Sequence, residues 1–397
     1  MRILLVTDWY PRRGGTEAYM AWLRDGLRAA GDEVRLLTSS AGGEFAGDGT
    51  ADYVAFGTER RTAQALLQIV NPLAVVRVRS AMREFSPDVV FVSLFEHHLS
   101  AAILPALRGI PTVLGISDYK FICPIAKKLL PDGSICGVQA GWVCCREGCV
   151  SLPHWIRDRP RYALLRAGLD AVDRVLSCSR WMQRELAKAG IPSECVILPV
   201  PRPTPGFHRT PAREPVFLFV GRLEEEKGVS GLLRAFAQVR AEIPSAVLRL
   251  VGRGSQGPLL ERMAGALGLQ RSVRWRGWQG TMGVERELAD AWALVAPSLW
   301  AEPLGFVALE AMVRGVPVVA SEKGGFGETI EPGVSGLLFP NGDEEALTGR
   351  MLDIATGRAF RDHVLPDDVV RRVAARHGVE GYVERVRGIF REIVGVR

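Results

Sequence analysis

Short apolar runs alternate with stretches of helical periodicity along nearly the whole chain. Ile3 to Thr7, Val34 to Thr38, Val89 to Val92, Thr112 to Ile116, Val175 to Cys178 and Val196 to Val200 have the length and composition of buried strands. The residues between them place apolar side chains at about 3.6-residue spacing, the period of a helix with one buried face. Strands that are apolar throughout, joined by helices, predict a parallel sheet covered on both sides. Pro199, Pro201, Pro203, Pro205, Pro211 and Pro215 then break the pattern. Proline locks φ and donates no amide hydrogen, so this stretch reads as a linker. The alternation resumes with strands at Val216 to Val220, Val247 to Val251, Val273 to Trp275, Ala293 to Ala296, Val316 to Ala320 and Gly336 to Phe339. Helices centre on Leu232 to Arg240, Pro258 to Leu267, Val284 to Asp290, Val307 to Arg314 and Glu344 to Leu352. The predicted class is α/β: two doubly wound domains, 1–205 and 206–375, facing a central cleft at the carboxyl ends of their strands. An amphipathic stretch, Val379 to Val394, lies in a terminal segment, 376–397, expected to pack back onto the first domain.

Composition agrees with two cores, since 397 residues at 47% hydrophobic exceed what one ordinary core holds. The apolar run at Met1 to Asp8 is too short for a signal peptide and no run reaches membrane-spanning length, which points to a cytoplasmic protein. A formal net charge of +6 favours an acidic partner. Arg60, Arg61, Arg77, Arg79 and Arg83 bracket the apolar Ala65 to Val70, and Arg157, Arg159, Arg161 and Arg166 follow. A solvated basic face accounts for these residues; a peripheral membrane surface is the alternative that uses their apolar neighbours as well. Nucleic acid is not an expected partner, because no recognition helix, zinc finger or aromatic RNA-binding motif is present.

Two clusters in the second half carry chemistry. Gly221-Arg222-Leu223-Glu224-Glu225-Glu226-Lys227-Gly228 follows a strand, where Arg222 can fork onto phosphate oxygens and Lys227 can add a point charge. Two such cations neutralise a diphosphate and stabilise its departure without a divalent metal, and the chain has no Asp-X-Asp pair to hold one. Glu302-Pro303-Leu304-Gly305-Phe306-Val307-Ala308-Leu309-Glu310 places Gly305 before a helix start, so the amides of Phe306 and Val307 face an anion while Glu302 and Glu310 reach hydroxyl groups. Taken singly, each cluster also reads as a surface ion-pair patch or a solvated helix. Gly252-Arg253-Gly254-Ser255-Gln256-Gly257 satisfies the bare spacing of a dinucleotide loop. The acidic residue expected about twenty positions on is replaced by Arg274-Trp275-Arg276, which argues against a dehydrogenase.

Residues 216 to about 350 resemble the donor domain of glycosyltransferase family four, the retaining sugar-nucleotide enzymes with the GT-B fold. The resemblance rests on the two clusters above, on Val251-Gly252-Arg253-Gly254, Val273 to Gly277, Gly315-Val316-Pro317-Val318-Val319-Ala320 and Gly333-Val334-Ser335-Gly336-Leu337-Leu338. It implies that Arg222 and Lys227 bind the diphosphate of a nucleotide sugar, most readily a UDP-sugar, that Glu310 takes the ribose, and that Glu302 takes the donor sugar. Gly252 and the backbone near Trp278 would lie along the nucleotide. It implies no cofactor for the transfer itself. Ser321 to Glu328 departs from the family's shorter Gly-Gly turn.

In the first half, the resemblance implies that the turn Gly14-Gly15-Thr16-Glu17 lets backbone approach the donor phosphates or the acceptor, although turn chemistry alone also explains it, and Asp118 stands at a strand end where it can orient the acceptor or the donor sugar. The histidines that the family often carries in this half are absent from the corresponding stretches, Phe91-Val92-Ser93 and Gly115-Ile116-Ser117-Asp118, and His97 and His98, if helical, point to different faces. The expected acceptor is a hydroxyl group of a saccharide, a lipid-linked saccharide or a small natural product. Five cysteines, Cys123, Cys136, Cys144, Cys145 and Cys149, crowd an insertion over 119–150. A structural zinc site, a redox disulfide and unliganded thiols all remain open for them, since the spacing forms no clean pair of Cys-x-x-Cys knuckles. A sugar-nucleotide-binding module without catalysis is the alternative function.

Overall fold

A computed structural model of the chain describes residues 1–10, 15–41 and 51–396, with residues 15–18 and 61 described as backbone only. These fall into two compact units. Met1–Asp132, Cys136–Pro199 and the residues from Val379 onward make the first, and Gly133–Ile135 with Val200–Gly378 make the second.

The first unit is built on seven parallel strands: β1 (Arg2–Val6), β2 (Glu33–Ser39), β3 (Tyr53–Ala55), β4 (Val89–Ser93), β5 (Thr112–Ile116), β6 (Arg174–Ser177) and β7 (Glu194–Cys195). Their order is β3-β2-β1-β4-β5-β6-β7, so the winding reverses between β1 and β4. Ile3, Leu4, Leu5 and Val6 are wholly buried, as both-face coverage requires. The three-residue β3 had no sequence signal of its own. The strand expected at Val196 to Val200 is shorter and earlier than its pattern suggested. Val196 still donates to the Ser177 carbonyl, but Pro199 has no hydrogen to give, and Val200 donates instead to the His377 carbonyl.

The helix Val379–Val396 lies in this unit and buries Tyr382, Val383, Val386, Ile389, Phe390 and Ile393, one face of a helical period. Tyr382 meets Tyr19 edge-on at 6.3 Å, Phe390 lies 6.1 Å from Phe91, and Val383 fills the space beside Gly26. Arg387 adds an ion pair of 2.7 Å to Asp32, whose carboxylate also receives the chain's amino terminus.

The second unit carries six parallel strands: β8 (Val216–Val220), β9 (Val247–Val251), β10 (Val273–Gly277), β11 (Ala293–Ala296), β12 (Val318–Ser321) and β13 (Gly336–Phe339). The order is β10-β9-β8-β11-β12-β13, which reverses between β8 and β11. Phe217, Phe219, Leu248 and Leu250 pack beneath the helix Val229–Glu242, which presents Leu232, Leu233, Phe236 and Val239 to them. Each unit is a Rossmann-like doubly wound domain, the pair that composes a GT-B protein. In such sheets the reversal opens a crevice at the carboxyl ends of the two strands concerned.

Candidate functional site

At the reversal of the second unit, the loops that leave β8 and β11 carry the charged residues. After β8 the chain runs through Gly221 and Arg222 into a single 3₁₀ turn, Glu225–Lys227. Gly228 then turns left-handed at φ 70° and starts the next helix. A Cβ on Gly228 would lie 1.9 Å from the Pro297 carbonyl oxygen, so the two loops meet backbone to backbone. The Leu299 amide donates to the Glu226 carbonyl at 2.9 Å and closes the same contact.

This approach brings together residues 75 positions apart in the chain. Lys227 Nζ donates to Glu302 Oε1 at 2.6 Å, and Ser298 Oγ reaches the same oxygen at 2.6 Å. The ammonium also lies 4.8 Å from the centre of the Trp300 ring. Burial pushes the Glu302 carboxyl up, but the Lys227 charge and hydrogen bonds from Lys227, Ser298 and Trp300 outweigh it and hold the group below its ordinary value. The Glu302 carboxyl is therefore ionised at neutral pH. Arg222 differs: its side chain is 61% exposed and bonds the buried Glu226 at 2.9 Å, which leaves most of the guanidinium's donors facing solvent. Sequence reasoning missed Ser298 and Trp300, whose signal was only their place between β11 and Glu302.

The neighbouring strand ends join the same cradle. Gly252, at φ 141°, would place a Cβ 1.8 Å from the Gly221 carbonyl oxygen, and Gly254 would clash with the Leu223 carbonyl. These glycines of the G-x-G-x-x-G string thus serve loop-on-loop packing. The Gly252 amide donates to Gly277, so the segment carrying Trp278 is tied to it, with the indole itself exposed. Gly305, at φ 81°, heads the helix Phe306–Met312 and presses against the buried Phe326 ring. Phe306, Val307 and Glu310 are half-buried on that helix, Glu310 one turn in. In the segment that departs from the family pattern, Gly324 and Gly325 pack against the backbone of Glu302 and Leu304, and the Gly325 amide donates to the Glu302 carbonyl at 2.7 Å.

The first unit has its own set of polar residues at the β1–β4 reversal. Asp8, wholly buried, accepts the amides of His97, His98 and Leu99, and these histidines lie in a turn rather than a helix. Burial raises its carboxyl to about 7 against those hydrogen bonds. Beside it, buried Glu96 pairs with Arg161 at 3.4 Å, and Lys120 donates to the Glu96 carbonyl. Burial lowers the Lys120 ammonium to about 8. Asp118 caps a local turn by accepting the Lys120 amide at 2.9 Å, and it lines a small recess with Glu96, His97 and Ser117. Asp8, Glu96 and Lys120 carried no motif to mark them. Gly15 opens the helix Gly15–Ala29, and Gly14 lies outside the described residues.

All five cysteines of the insertion are free thiols. Burial pushes the Cys144 and Cys149 thiols up, with the neighbouring Cys123 and Cys136 adding to the rise. Among the described residues, no group of three or more His, Cys, Asp or Glu side chains is placed to hold a metal ion.

Two family models match the chain: Glycosyl transferase 4-like domain over residues 14–201 and Glycosyl transferases group 1 over residues 204–364. The glycogen synthase of Mycobacterium tuberculosis is 33% identical over 85% of this chain and 82% of its own. A GDP-mannose-dependent alpha-(1-6)-phosphatidylinositol monomannoside mannosyltransferase of Mycolicibacterium smegmatis is 28% identical over 89% and 88%. Among solved structures, the sucrose-phosphate synthase of Thermosynechococcus elongatus superposes with a TM-score of 0.75 over 100% of both chains at 21% identity.

Proposed function

Because the chain belongs to the group 1 glycosyltransferases, a family of sugar-transferring enzymes, we propose that it moves a sugar from a nucleotide donor to a hydroxyl acceptor with retention of anomeric configuration. The observation that carries this reading is the 2.6 Å contact of Lys227 with Glu302 at the β8–β11 reversal, with Arg222 exposed beside it. Lys227 and Arg222 would meet the diphosphate, and Glu302 orients the ammonium while offering its second oxygen to a sugar hydroxyl. Negative charge that develops on the departing phosphate oxygen then meets fixed cations. That oxygen can itself take the acceptor proton, so no histidine base is needed.

Turnover with a nucleotide sugar tests the assignment. Lys227→Ala should lower kcat/KM by about 10²- to 10³-fold, the usual cost of removing one donor to a developing anion. Unchanged turnover would sink it. Retention is read from the anomer of the first product by NMR, and an inverted anomer overturns that part alone.

The sequence resemblance favours a UDP-sugar. GDP-mannose is the second reading, because the mannosyltransferase relative named above is GDP-mannose-dependent. That relative also acts on a phosphatidylinositol mannoside, which favours a lipid-linked acceptor over a free natural product. Leu66, Val70, Leu73 and Val76 are exposed in the first unit, Leu66 at 66%, and Arg60, Arg77 and Arg79 lie nearby in the chain. Apolar side chains flanked by arginine suit contact with an anionic bilayer surface. Flotation with phosphatidylglycerol vesicles should carry the protein upward, and Leu66→Ser with Val76→Ser should leave it in the soluble fraction.

A further inference from the structure

The second unit contains a recess that none of the donor-site residues lines. It has a volume of about 820 Å³ and is bounded by Val216 of β8, Val247 and Arg249 of β9, Arg274 and Arg276 of β10, the helix Thr281–Asp290, and the segment Ala212–Glu214. Lys227, Glu302 and Glu310 take no part in it. A parallel sheet covered on both faces is made of strands that are apolar throughout. Here one face breaks that rule: Arg249 and Arg274 are register partners, and Arg276, at the register irregularity that follows in β10, lines the same recess.

Some of these charges are spoken for. Arg249 forks onto Asp290 at 2.7 and 2.9 Å and touches Glu287 at 3.2 Å, while Arg276 meets Glu287 at 2.5 Å. The linker sets the opposite wall, where the Ala212 amide donates to the Asp290 carbonyl and Arg209 donates to the carbonyls of Leu288 and Ala289. Arg213, Arg274 and Arg286, all exposed, also line the recess, and among the described residues their guanidinium groups have no hydrogen-bond or ion-pair partner. One unpaired carboxylate, Glu214, stands against those three guanidiniums. The balance is three positive charges against one negative, an excess of +2 in a concave space. Like charges gathered in a concavity repel one another and focus field on whatever anion enters. Exposed planar forks that no protein group engages match phosphoryl oxygens.

We propose that this recess binds a small molecule carrying two phosphoryl groups, at a second site separate from the donor site. The proposal does not depend on which sugar is transferred, nor on whether transfer occurs. Inorganic pyrophosphate is the probe, measured by equilibrium dialysis on the full chain whose donor site is disabled by Arg222→Ala with Lys227→Ala, neither of which lines the recess. One equivalent should still bind. Arg274→Ser with Arg286→Ser, added to that variant, should weaken the binding at least about tenfold. Arg213→Ser, on the linker rather than the sheet, supplies the same reading if the double variant does not fold. Displacement of pyrophosphate by a water-soluble phosphatidylinositol bisphosphate, but not by free sugar bisphosphates, assigns the ligand to a lipid headgroup; the opposite preference assigns it to a soluble metabolite. Absence of binding to the variant with the disabled donor site, or binding that survives all three arginine changes in the recess, overturns the site.

Discussion

Glu302 shows how a residue with a legible role still needs a partner that only folding supplies. Its ionised state depends on Lys227, Ser298 and Trp300, of which only Lys227 stood in a recognisable motif. Glu302→Gln keeps the shape and removes the charge, so Lys227 loses its counter-ion. The expected result is a fall in kcat/KM of at least about tenfold with the fold intact, read by steady-state kinetics beside circular dichroism. His377 illustrates a different dependence. Its ring is buried, and burial lowers it from 6.5 to about 4. Below pH 6.5 the unfolded chain takes up a proton that the folded ring refuses until about pH 4, so this group's stability is present above that window and lost as pH falls through it. The loss amounts to about 3 kcal/mol, and His377→Leu should remove that share from the pH dependence of urea unfolding.

At the level of elements, most strands were legible because parallel strands buried on both faces must be apolar throughout. The exceptions have physical causes. β3 is too short to show a pattern, and β7 ends before the residues that looked most strand-like because proline cannot continue the ladder. Arg274 and Arg276 of β10 were weighed in the sequence only as the absence of an acidic residue, and Arg249 of β9 not at all; that Arg249 lies beside Arg274 follows from register. The glycine loops were read as anion cradles, and the structure adds that Gly228 and Gly252 are required by the backbone of neighbouring loops. Gly252→Ala places a methyl against the Gly221 carbonyl and should cost at least about 2 kcal/mol. Thermal unfolding measures that cost, with loss of nucleotide binding expected alongside.

For the whole molecule, the chain's last helix belongs to the same unit as its first strand. Deleting residues from Val379 onward would uncover Tyr19 and Phe91, which are buried beside Tyr382 and Phe390. Limited trypsin digestion of the truncated chain should cut the first unit rapidly and spare a fragment covering Val200–Gly378, whose own core is untouched. Equal sensitivity of both units would contradict that assignment of cores. The sequence by itself determined the class of fold, two doubly wound α/β domains, and the family, because hydrophobic period and strand-end motifs are local properties written in consecutive residues. Tertiary structure alone decided which distant side chains meet. Lys227 finds Glu302, Asp8 gathers the amides of residues 97–99, and three arginines converge on one recess, because strand order and register set those distances and neither is a local property of the chain.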